Sequence, residues 1–409
     1  MNELEGFWIR NYKCLKQVGI GACFPQLTYI DDEDAVLPFP LDTVTLFTGH
    51  CGTGKSSVFD VFSFISDILK HGLEAAVLKR GGYDSIYTSG GKGTMSFGFR
   101  YRENQESEPA TYAVSIAVSK NKVPFIESEV LVYRRGKESL PVFFIQNGAK
   151  SIRFLAPDER LGNDDLTKIE FTDYNHLGLA ALENHPKFPV FASLRQFFEN
   201  WVYCNFTPDP SYGLSNALPR FHSSPRGTRL FNMIQYMIKR YGSGIHSFLT
   251  RISVFLPGVR NIALDASDFD KPLVYFEMEG IIKPLPITHL SDAAVRLFMY
   301  VLLMEEDYPA PLLAVEEPEN GLDRLYCWRL TQQIQRFNDF PRGSQLFMTT
   351  HHPGIADILH PAQVWLFGLN QEGFTTVERA ADNIQIQNIA EDNSDLSPRW
   401  FSEGFENEI

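Results

Sequence analysis

Residues 41–64 have the sequence LDTVTLFTGHCGTGKSSVFDVFSF, in which an apolar run, a glycine-rich segment and an amphipathic run follow one another. Gly49, Gly54, Lys55 and Ser56 fill the fixed positions of the G-x-x-x-x-G-K-S/T pattern. Glycine has no Cβ, so the backbone can take positive φ and bring successive N–H groups close to phosphate oxygens. The lysine ammonium adds charge near the β- and γ-phosphates of a nucleotide, and the serine hydroxyl is placed to ligate Mg²⁺. The strand before the loop and the helix after it are the context that the motif requires, so the stretch predicts a phosphate-binding loop.

Length and composition are those of a large globular protein. The chain has 409 residues, of which 44% are hydrophobic and 21% charged, enough for a large core and two or three subdomains. The five cysteines are scattered and form no C-x-x-C pair, which argues against a disulfide framework and favours a reducing compartment. No signal-peptide pattern opens the chain, and no window approaches the roughly 18 apolar residues of a spanning helix. We therefore expect a soluble, cytoplasmic protein with no membrane contact.

Away from the loop, periodicity divides the chain into strands and helices. Residues 94–155 contain five alternating runs separated by polar or glycine-containing breaks, which predicts an antiparallel meander. Residues 191–206 have the pattern of a helix that leads into a strand, and further helices are predicted over 226–240 and 244–255. Two strands, NIALDAS and LVYFEME, follow. No heptad pattern is sustained, so no coiled-coil arm is expected.

Two carboxylates end a buried strand in the C-terminal part of the chain. PLLAVEEPENGLD is an apolar strand that ends at Glu316 and Glu317. Adjacent carboxylates at such a place are unfavourable unless they hold a metal or activate a water molecule. In a nucleotide site Glu316 would hold Mg²⁺ and Glu317 would polarise the attacking water. The alternative, a solvated surface pair, fits poorly with the apolar run before them.

A helix and a further strand flank this carboxylate pair. LSDAAVRLFMYVLLMEED, which begins at residue 290, predicts a very apolar helix that Ser291 or Asp292 caps, with N–H groups at its start free to meet an anion. SQLFMTT predicts a strand that delivers His351 at its end, beside His352. A metal pair of these two histidines is the alternative, but no carboxylate or cysteine stands at ligand spacing.

The order of phosphate loop, LSDAAVR, EEPENGLD and TTHHP resembles that of the ABC-type ATPases of the SMC/RecF/OLD group. Within the group, the sequence is most similar to the compact "AAA family" ATPases of bacterial anti-phage systems, such as the Septu ATPase. The resemblance covers nearly the whole chain, since IRNYKCL at residues 9–15 looks like the family's opening IxNFKSL. It implies an α/β fold, namely an ABC-type (SMC/RecF-like) P-loop NTPase head with an antiparallel β subdomain, a short helical insertion and no long coiled coil.

The resemblance also implies roles for individual residues. The ATP-binding Walker A positions would be Gly49, Gly52, Thr53, Gly54, Lys55, Ser56 and Ser57. Glu316, together with the serine that follows the lysine, would hold Mg²⁺, and Glu317 would be the catalytic base. Ser291 lies in the signature, which in this family contacts the ATP of a second subunit, and Asp323 has the position of the D-loop aspartate. His351 would be the switch histidine that senses the γ-phosphate.

Two departures from the family pattern concern hydrolysis. His50 and Cys51 replace the usual Pro-Asn of the loop, which removes an asparagine contact and places an oxidisable thiol near the nucleotide. Ala293 replaces a signature glycine that faces the γ-phosphate bound to the partner, so its Cβ could weaken dimer closure. We expect slow hydrolysis. The family's Q-loop glutamine has no assigned position in this sequence.

Four segments are expected: an N-terminal ATPase lobe at 1–155 with the Walker A loop and the meander, a mostly helical insertion or cap at 156–285, a C-terminal ATPase lobe at 286–385, and a tail at 386–409. The resemblance implies an enzyme that binds and hydrolyses ATP with Mg²⁺ and forms a homodimer, or a larger assembly, around the nucleotide. Its cycle would gate a separate effector protein, such as a nuclease or toxin, in anti-phage defence.

A RecF-like DNA-repair ATPase is the alternative function. The net charge of −13 argues against a surface that coats nucleic acid along its whole length, but it leaves a local basic patch and a direct DNA contact open. An ATPase subunit of a transporter and a scaffold that does not hydrolyse ATP are further alternatives.

Overall fold

The computed structural model describes residues 3–23, 39–104, 106–135, 138–146, 151–154, 167–170, 175–181, 189–205, 220–221, 237–265, 273–307, 309–340, 342–384 and 386. Strands in these ranges are β1 Glu3–Tyr12, β2 Leu15–Gly21, β3 Val44–Gly49, β4 Met95–Arg102, β5 Ala110–Val118, β6 Pro124–Arg135, β7 Glu138–Gln146, β8 Ser151–Phe154, β9 Thr167–Glu170, β10 Val202–Asn205, β11 Arg220–Phe221, β12 Val259–Asp265, β13 Leu273–Met278, β14 Leu285–Pro286, β15 Leu312–Glu316, β16 Gln345–Thr349, β17 Val364–Leu369 and β18 Thr375–Arg379. Helices are α1 Lys55–His71, α2 Leu73–Leu78, α3 Tyr83–Ile86, α4 Gly178–Ala181, α5 Pro189–Asn200, α6 Ile245–Ser253, α7 Asp292–Met304, α8 Arg324–Asp339 and α9 Pro353–Ala356.

A seven-stranded sheet forms the centre of the fold, with the strand order β11-β10-β15-β16-β3-β17-β18. Its inner strands are parallel, and only the outermost pair at each edge is antiparallel. The register aligns Asn205 with Glu316, Glu316 with Thr349, and Thr349 with Phe47. Because parallel strands end on the same side, the last residues of these four strands form one continuous edge.

The central sheet is buried on both faces, as parallel sheets usually are. On one face, Phe47 and Phe347 belong to a core that includes α1 and the antiparallel meander. On the other face, Leu46 and Met348 belong to a core formed with α6, α7 and α8. Successive side chains on a strand point to opposite faces, so these near-continuous apolar strands supply both cores.

The predicted meander is confirmed as part of an eight-stranded antiparallel sheet in the order β2-β1-β4-β5-β6-β7-β8-β9. The side chain of Gln345, the first residue of β16, joins this sheet to the central one. Its Oε1 accepts from the backbone N–H of Leu4 at 2.7 Å, and its Nε2 donates to the Leu4 carbonyl at 3.0 Å. One buried amide therefore satisfies both backbone groups of a residue on β1.

A buried carboxyl group anchors the mid-chain segment to the meander. Glu129 on β6 is fully buried and accepts three hydrogen bonds, from the Tyr112 hydroxyl at 2.8 Å and from the backbone N–H groups of Gly178 at 2.7 Å and Leu179 at 3.0 Å. Burial raises the pKa of this carboxyl to about 7, and the three hydrogen bonds act in the opposite direction. Glu129 thereby holds the start of α4 against the sheet.

A second buried carboxylate fastens the far end of α7. Glu305 accepts from Gln333 at 2.7 Å, from Arg336 at 2.9 Å and from Arg342 at 2.6 Å. Two of these donors lie on α8, so the group joins α7 to α8, two of the helices that cover one face of the central sheet. Both oxygens of the carboxylate accept hydrogen bonds from these partners, as a buried charge requires.

The predicted fold class is confirmed: the chain is an α/β P-loop NTPase head with a parallel sheet that carries the phosphate loop and a separate antiparallel subdomain. The longest helix in the described ranges, α1, has 17 residues, so these ranges hold no long coiled coil. The helix and strand expected over 191–206 are α5 and β10. The helix expected at 226–240 lies mostly outside the described residues, of which 237–241 are helical.

The four-segment division stays a prediction. Three strand pairings bear on it. Strand β3, placed in the first segment, pairs with β16 and β17 of the third, and β10, from the mid-chain segment, pairs with β15. The described parts of 156–285 contain strands as well as helices. None of the helices in the described ranges is long and apolar enough to cross a membrane.

Candidate functional site

The phosphate loop connects β3 to α1, and its shape requires glycine at two positions. Gly49 has φ 138° and Gly54 has φ 101°, both in the region that L side chains rarely adopt. A Cβ at Gly49 would lie 2.1 Å from the carbonyl oxygen of Phe367, and a Cβ at Gly54 would lie 2.5 Å from Oγ1 of Thr375. The loop therefore packs against β17 and β18 so closely that only a hydrogen fits in either place.

Hydrogen bonds hold the loop on the side away from solvent. Thr53 is buried and its Oγ1 donates to the His50 carbonyl at 2.8 Å, while the Thr53 carbonyl accepts from Thr375 Oγ1 at 2.8 Å. Ser57 lies 3.9 Å from the thiol of Cys14 on the β1–β2 turn. Three other loop positions face outward: Cys51, Gly52 and Ser56 are exposed. The loop thus has a fixed inner side and an open outer side.

Lys55 bends back onto its own loop. Its Nζ donates to the carbonyls of Gly49 at 2.6 Å and His50 at 2.8 Å, and the residue is only 6% exposed. Burial lowers the pKa of the Lys55 ammonium, and the nearby thiol of Cys51 and two carboxylates act in the opposite direction. These carboxylates belong to Glu316 and Glu317, so the lysine charge is close enough to both to interact with them.

Glu316 is buried, and one of its carboxylate oxygens accepts no hydrogen bond from the described residues. It ends β15 and is 9% exposed, and its Oε2 accepts from Asn205 Nδ2 at 2.6 Å. Its Oε1 is buried and has no hydrogen-bond partner among the described residues. A buried anionic oxygen without a donor is unfavourable unless a cation completes it, and carboxylate oxygens are the ligands that Mg²⁺ prefers. The donor set therefore fits the predicted Mg²⁺ site, with the hydroxyl of Ser56 on the first turn of α1 as the second predicted ligand.

Glu317 stands in a left-handed backbone conformation, with φ 42°. Its backbone N–H donates to the Thr349 carbonyl at 2.9 Å, which fixes the bend between β15 and the next turn. Oε1 of its carboxylate lies 3.4 Å from His351 Nε2, and Oε2 accepts from Asn320 Nδ2. A non-glycine residue at positive φ is held there only when its surroundings impose the conformation, and such residues cluster at functional sites.

His351 completes the group. Its Nε2 lies 3.7 Å from the Cys51 thiol of the phosphate loop as well as near Glu317, and its backbone N–H donates to Glu319 Oε1 at 2.9 Å. Three stretches far apart in sequence, the loop, the carboxylate pair and the end of β16, thus meet at the carboxyl edge of the central sheet. This edge is where open α/β sheets bind their ligands.

Ser291 and Asp323 form a second group. Ser291 caps α7, because its side chain accepts from the Ala294 N–H at 3.2 Å, and Asp323 caps α8 by accepting from Leu325 and Tyr326 at 2.9 and 3.0 Å. Ser291 also shares a hydrogen bond with the Tyr326 side chain, so the two caps are neighbours. Within the described ranges, no hydrogen bond of either residue reaches the phosphate loop.

Several residues at the site were not predicted from the sequence. Asn205 ends β10 beside Glu316, Glu319 binds the backbone of His351, and Asn320 binds the carboxylate of Glu317. A signal existed for Asn205, since it is a polar residue at the end of an apolar strand, the same pattern that identified the carboxylate pair. The other two belong to the quoted motif EEPENGLD, in which only the first two glutamates and the aspartate received roles.

Comparison with solved structures finds likeness to SMC head domains. The SMC head domain from Thermotoga maritima is 12% identical, with a TM-score of 0.44 over 92% of this chain and 98% of that one. The Smc head domain with an extended coiled coil, bound to the C-terminal domain of ScpA and derived from Pyrococcus furiosus, is 11% identical, with a TM-score of 0.48 over 92% and 96%.

No curated protein matches the sequence. A protein-family model does match, over a range that includes the phosphate loop, the carboxylate pair and the end of β16. Described as "AAA domain, putative AbiEii toxin, Type IV TA system", this model covers residues 44–357, well over half of the chain, and the chain belongs to this family.

Proposed function

We propose that this protein binds ATP and hydrolyses it slowly at the carboxyl edge of its central sheet. One observation carries the proposal: a buried ammonium, two carboxylates and an imidazole meet beside the phosphate loop. These groups belong to Lys55, Glu316, Glu317 and His351. Phosphoryl transfer to water uses four parts: a loop that binds phosphate, a lysine charge, a carboxylate that holds a cation and a carboxylate that activates water.

The residues of the chain would divide the work as follows. Free N–H groups of the loop and of the first turn of α1 bind phosphate oxygens. Lys55 exchanges its two carbonyl acceptors for the β- and γ-phosphates. Glu317 Oε1 accepts the proton of the water that attacks the γ-phosphate, and His351 faces the same oxygen. Mg²⁺ held by Glu316 and Ser56 would neutralise part of the phosphate charge.

We infer that a second copy of the chain completes the site. Ser291 and Asp323 form a separate, exposed group of helix caps, whose N–H groups suit an anion. In a homodimer with ATP between the two copies, this group would face the phosphate loop of the partner. Such an arrangement couples nucleotide state to opening and closing of the dimer.

Dimer closure would in turn gate a separate effector, a nuclease or toxin, in anti-phage defence. Support comes from the resemblance of the motifs to those of such systems and from the family description, which names a toxin of a toxin–antitoxin system. Effector and ATPase would be encoded together, so co-expression with the neighbouring gene tests this part. Steeply salt-dependent binding of the isolated protein to DNA would instead favour the RecF-like alternative.

Two substitutions test the ATPase. Lys55→Ala should abolish ATP binding, and Glu317→Gln should retain binding, lose hydrolysis and accumulate ATP-bound dimers, as seen by light scattering with and without ATP. Matched controls are Lys120→Ala and Glu74→Gln, both on exposed residues away from the site. Equal hydrolysis by the parent and both site variants would refute the assignment, and hydrolysis lost in Glu317→Gln without any ATP-dependent dimer would refute the composite site.

A further inference from the structure

The residues that follow the carboxylate pair fold into a tight turn. Glu317 to Asn320 have the sequence Glu-Pro-Glu-Asn, and the Asn320 N–H donates to the Glu317 carbonyl at 3.0 Å. Proline at the second position of such a turn fixes its φ near the required value. The turn therefore presents the side chains of its first, third and fourth residues in a defined arrangement.

The side chain of Asn320 selects one orientation of the Glu317 carboxylate. Its Nδ2 donates to Oε2 of Glu317, which leaves Oε1 as the oxygen that faces His351 at 3.4 Å. A carboxylate that rotates freely would spread its basic oxygens over several directions. One that is held at Oε2 keeps Oε1 aimed at the place where His351 and the phosphate loop meet.

The backbone of Asn320 is bound by the signature helix. Arg296 on α7 is 4% exposed, and its Nη1 donates to the Asn320 carbonyl. The same guanidinium packs against Gly321, where a Cβ would lie 3.0 Å from Nη1. Asn320 is thus joined on one side to α7, the helix that Ser291 caps, and on the other to the carboxylate of Glu317.

The third residue of the turn, Glu319, binds the residues that follow β16. Oε1 of Glu319 accepts from the Thr350 hydroxyl at 2.7 Å and from the His351 N–H at 2.9 Å. The single turn thus fixes the backbone of His351 and the carboxylate of Glu317 together. A displacement of α7 would reach both groups through it.

We propose that Asn320 is a positioning residue, which orients the Glu317 carboxylate and ties it to α7 through Arg296. This inference rests on the proposed ATPase function and adds a path within one chain from the signature to the base. When the ATP bound to a partner contacts the start of α7, a shift of α7 then changes the orientation of Glu317 in the chain to which this α7 belongs. Asn320 itself touches no substrate.

The test separates binding from turnover. Asn320→Ala should reduce kcat about 10- to 100-fold, the usual effect of losing an orienting partner, and leave the Kd for ATP within about twofold. Asn320→Asp has the same shape but cannot donate a hydrogen bond when ionised, so it should behave like the alanine variant. Asn338→Ala is the matched control, because Asn338, near the C-terminal end of α8, accepts one side-chain hydrogen bond, from Gln363, and the variant loses it.

A double variant shows whether Asn320 acts through Glu317. In single-turnover measurements of the slow hydrolysis that remains in Glu317→Gln, adding Asn320→Ala should reduce the rate by less than twofold, since the oriented carboxylate is already gone. Thermal unfolding of each variant checks that the fold is intact. Full activity of Asn320→Asp, or additive effects in the double variant, would overturn the inference while Glu317→Gln still identifies the ATPase. A parent protein that hydrolyses no ATP would overturn both proposals.

Discussion

The stability of this protein should depend on the protonation of Glu129. Burial raises the folded-state pKa of this carboxyl to about 7 from an ordinary value of 4.5, so folding favours its neutral form. The stability it contributes is then fully present below about pH 4.5 and is lost as the pH rises through 7. Linkage over the interval from about pH 5 to about pH 8 gives a loss of about 2 to 3 kcal/mol in the free energy of unfolding.

Urea unfolding of the parent and of Glu129→Gln at the two pH values measures this loss. The amide cannot ionise, so the parent should lose about 2 to 3 kcal/mol more than the variant between acidic and alkaline buffer. Glu127→Gln, a partly exposed position on the same strand, is the control and should follow the parent. Equal changes in the parent and in Glu129→Gln would refute a raised pKa, because the three hydrogen bonds to the carboxylate would then offset or outweigh its desolvation.

Three further substitutions have expected outcomes. Gly54→Ala should lower stability by about 2 kcal/mol or more and weaken ATP binding at least tenfold in titrations, since a Cβ at positive φ meets Thr375. Glu305→Ala should cost about 3 kcal/mol in urea unfolding, because it leaves two arginines and a buried glutamine without their shared acceptor. Asn205→Ala should raise the Mg²⁺ concentration needed for half-maximal hydrolysis about 10- to 100-fold, since the orientation of Glu316 depends on that amide.

The sequence locates the glycine-rich loop and the carboxylate pair because each is a short motif of neighbouring residues. Gly49 to Ser56 are consecutive residues from the end of β3 to the first turn of α1, so covalent geometry alone brings the predicted phosphate-binding groups together. The meander was predictable for a similar reason, since alternation along each strand is local and consecutive strands pair with each other. Helix α7 was visible as a long apolar run with a serine cap.

Contacts between distant parts of the chain could not be predicted in the same way. Asn205 reaches Glu316 across 111 positions, and Gln345 reaches Leu4 across 341. Such contacts depend on which strands are neighbours in the central sheet, and no local pattern states that order. The place of β3 between β16 and β17 is an example, because β3 is the earliest strand of the central sheet in chain order but lies near its middle.

The left-handed backbone of Glu317 lowers the stability of the fold at the residue that we propose as the catalytic base. A strained residue of this kind lowers stability by about 1 to 3 kcal/mol, and glycine would adopt the same φ without strain. Selection for heat tolerance alone should therefore replace Glu317 with glycine or asparagine and yield a sturdier but inactive protein. Laboratory evolution under heat, with and without a requirement for ATP hydrolysis, should diverge at this residue before any other position of the turn.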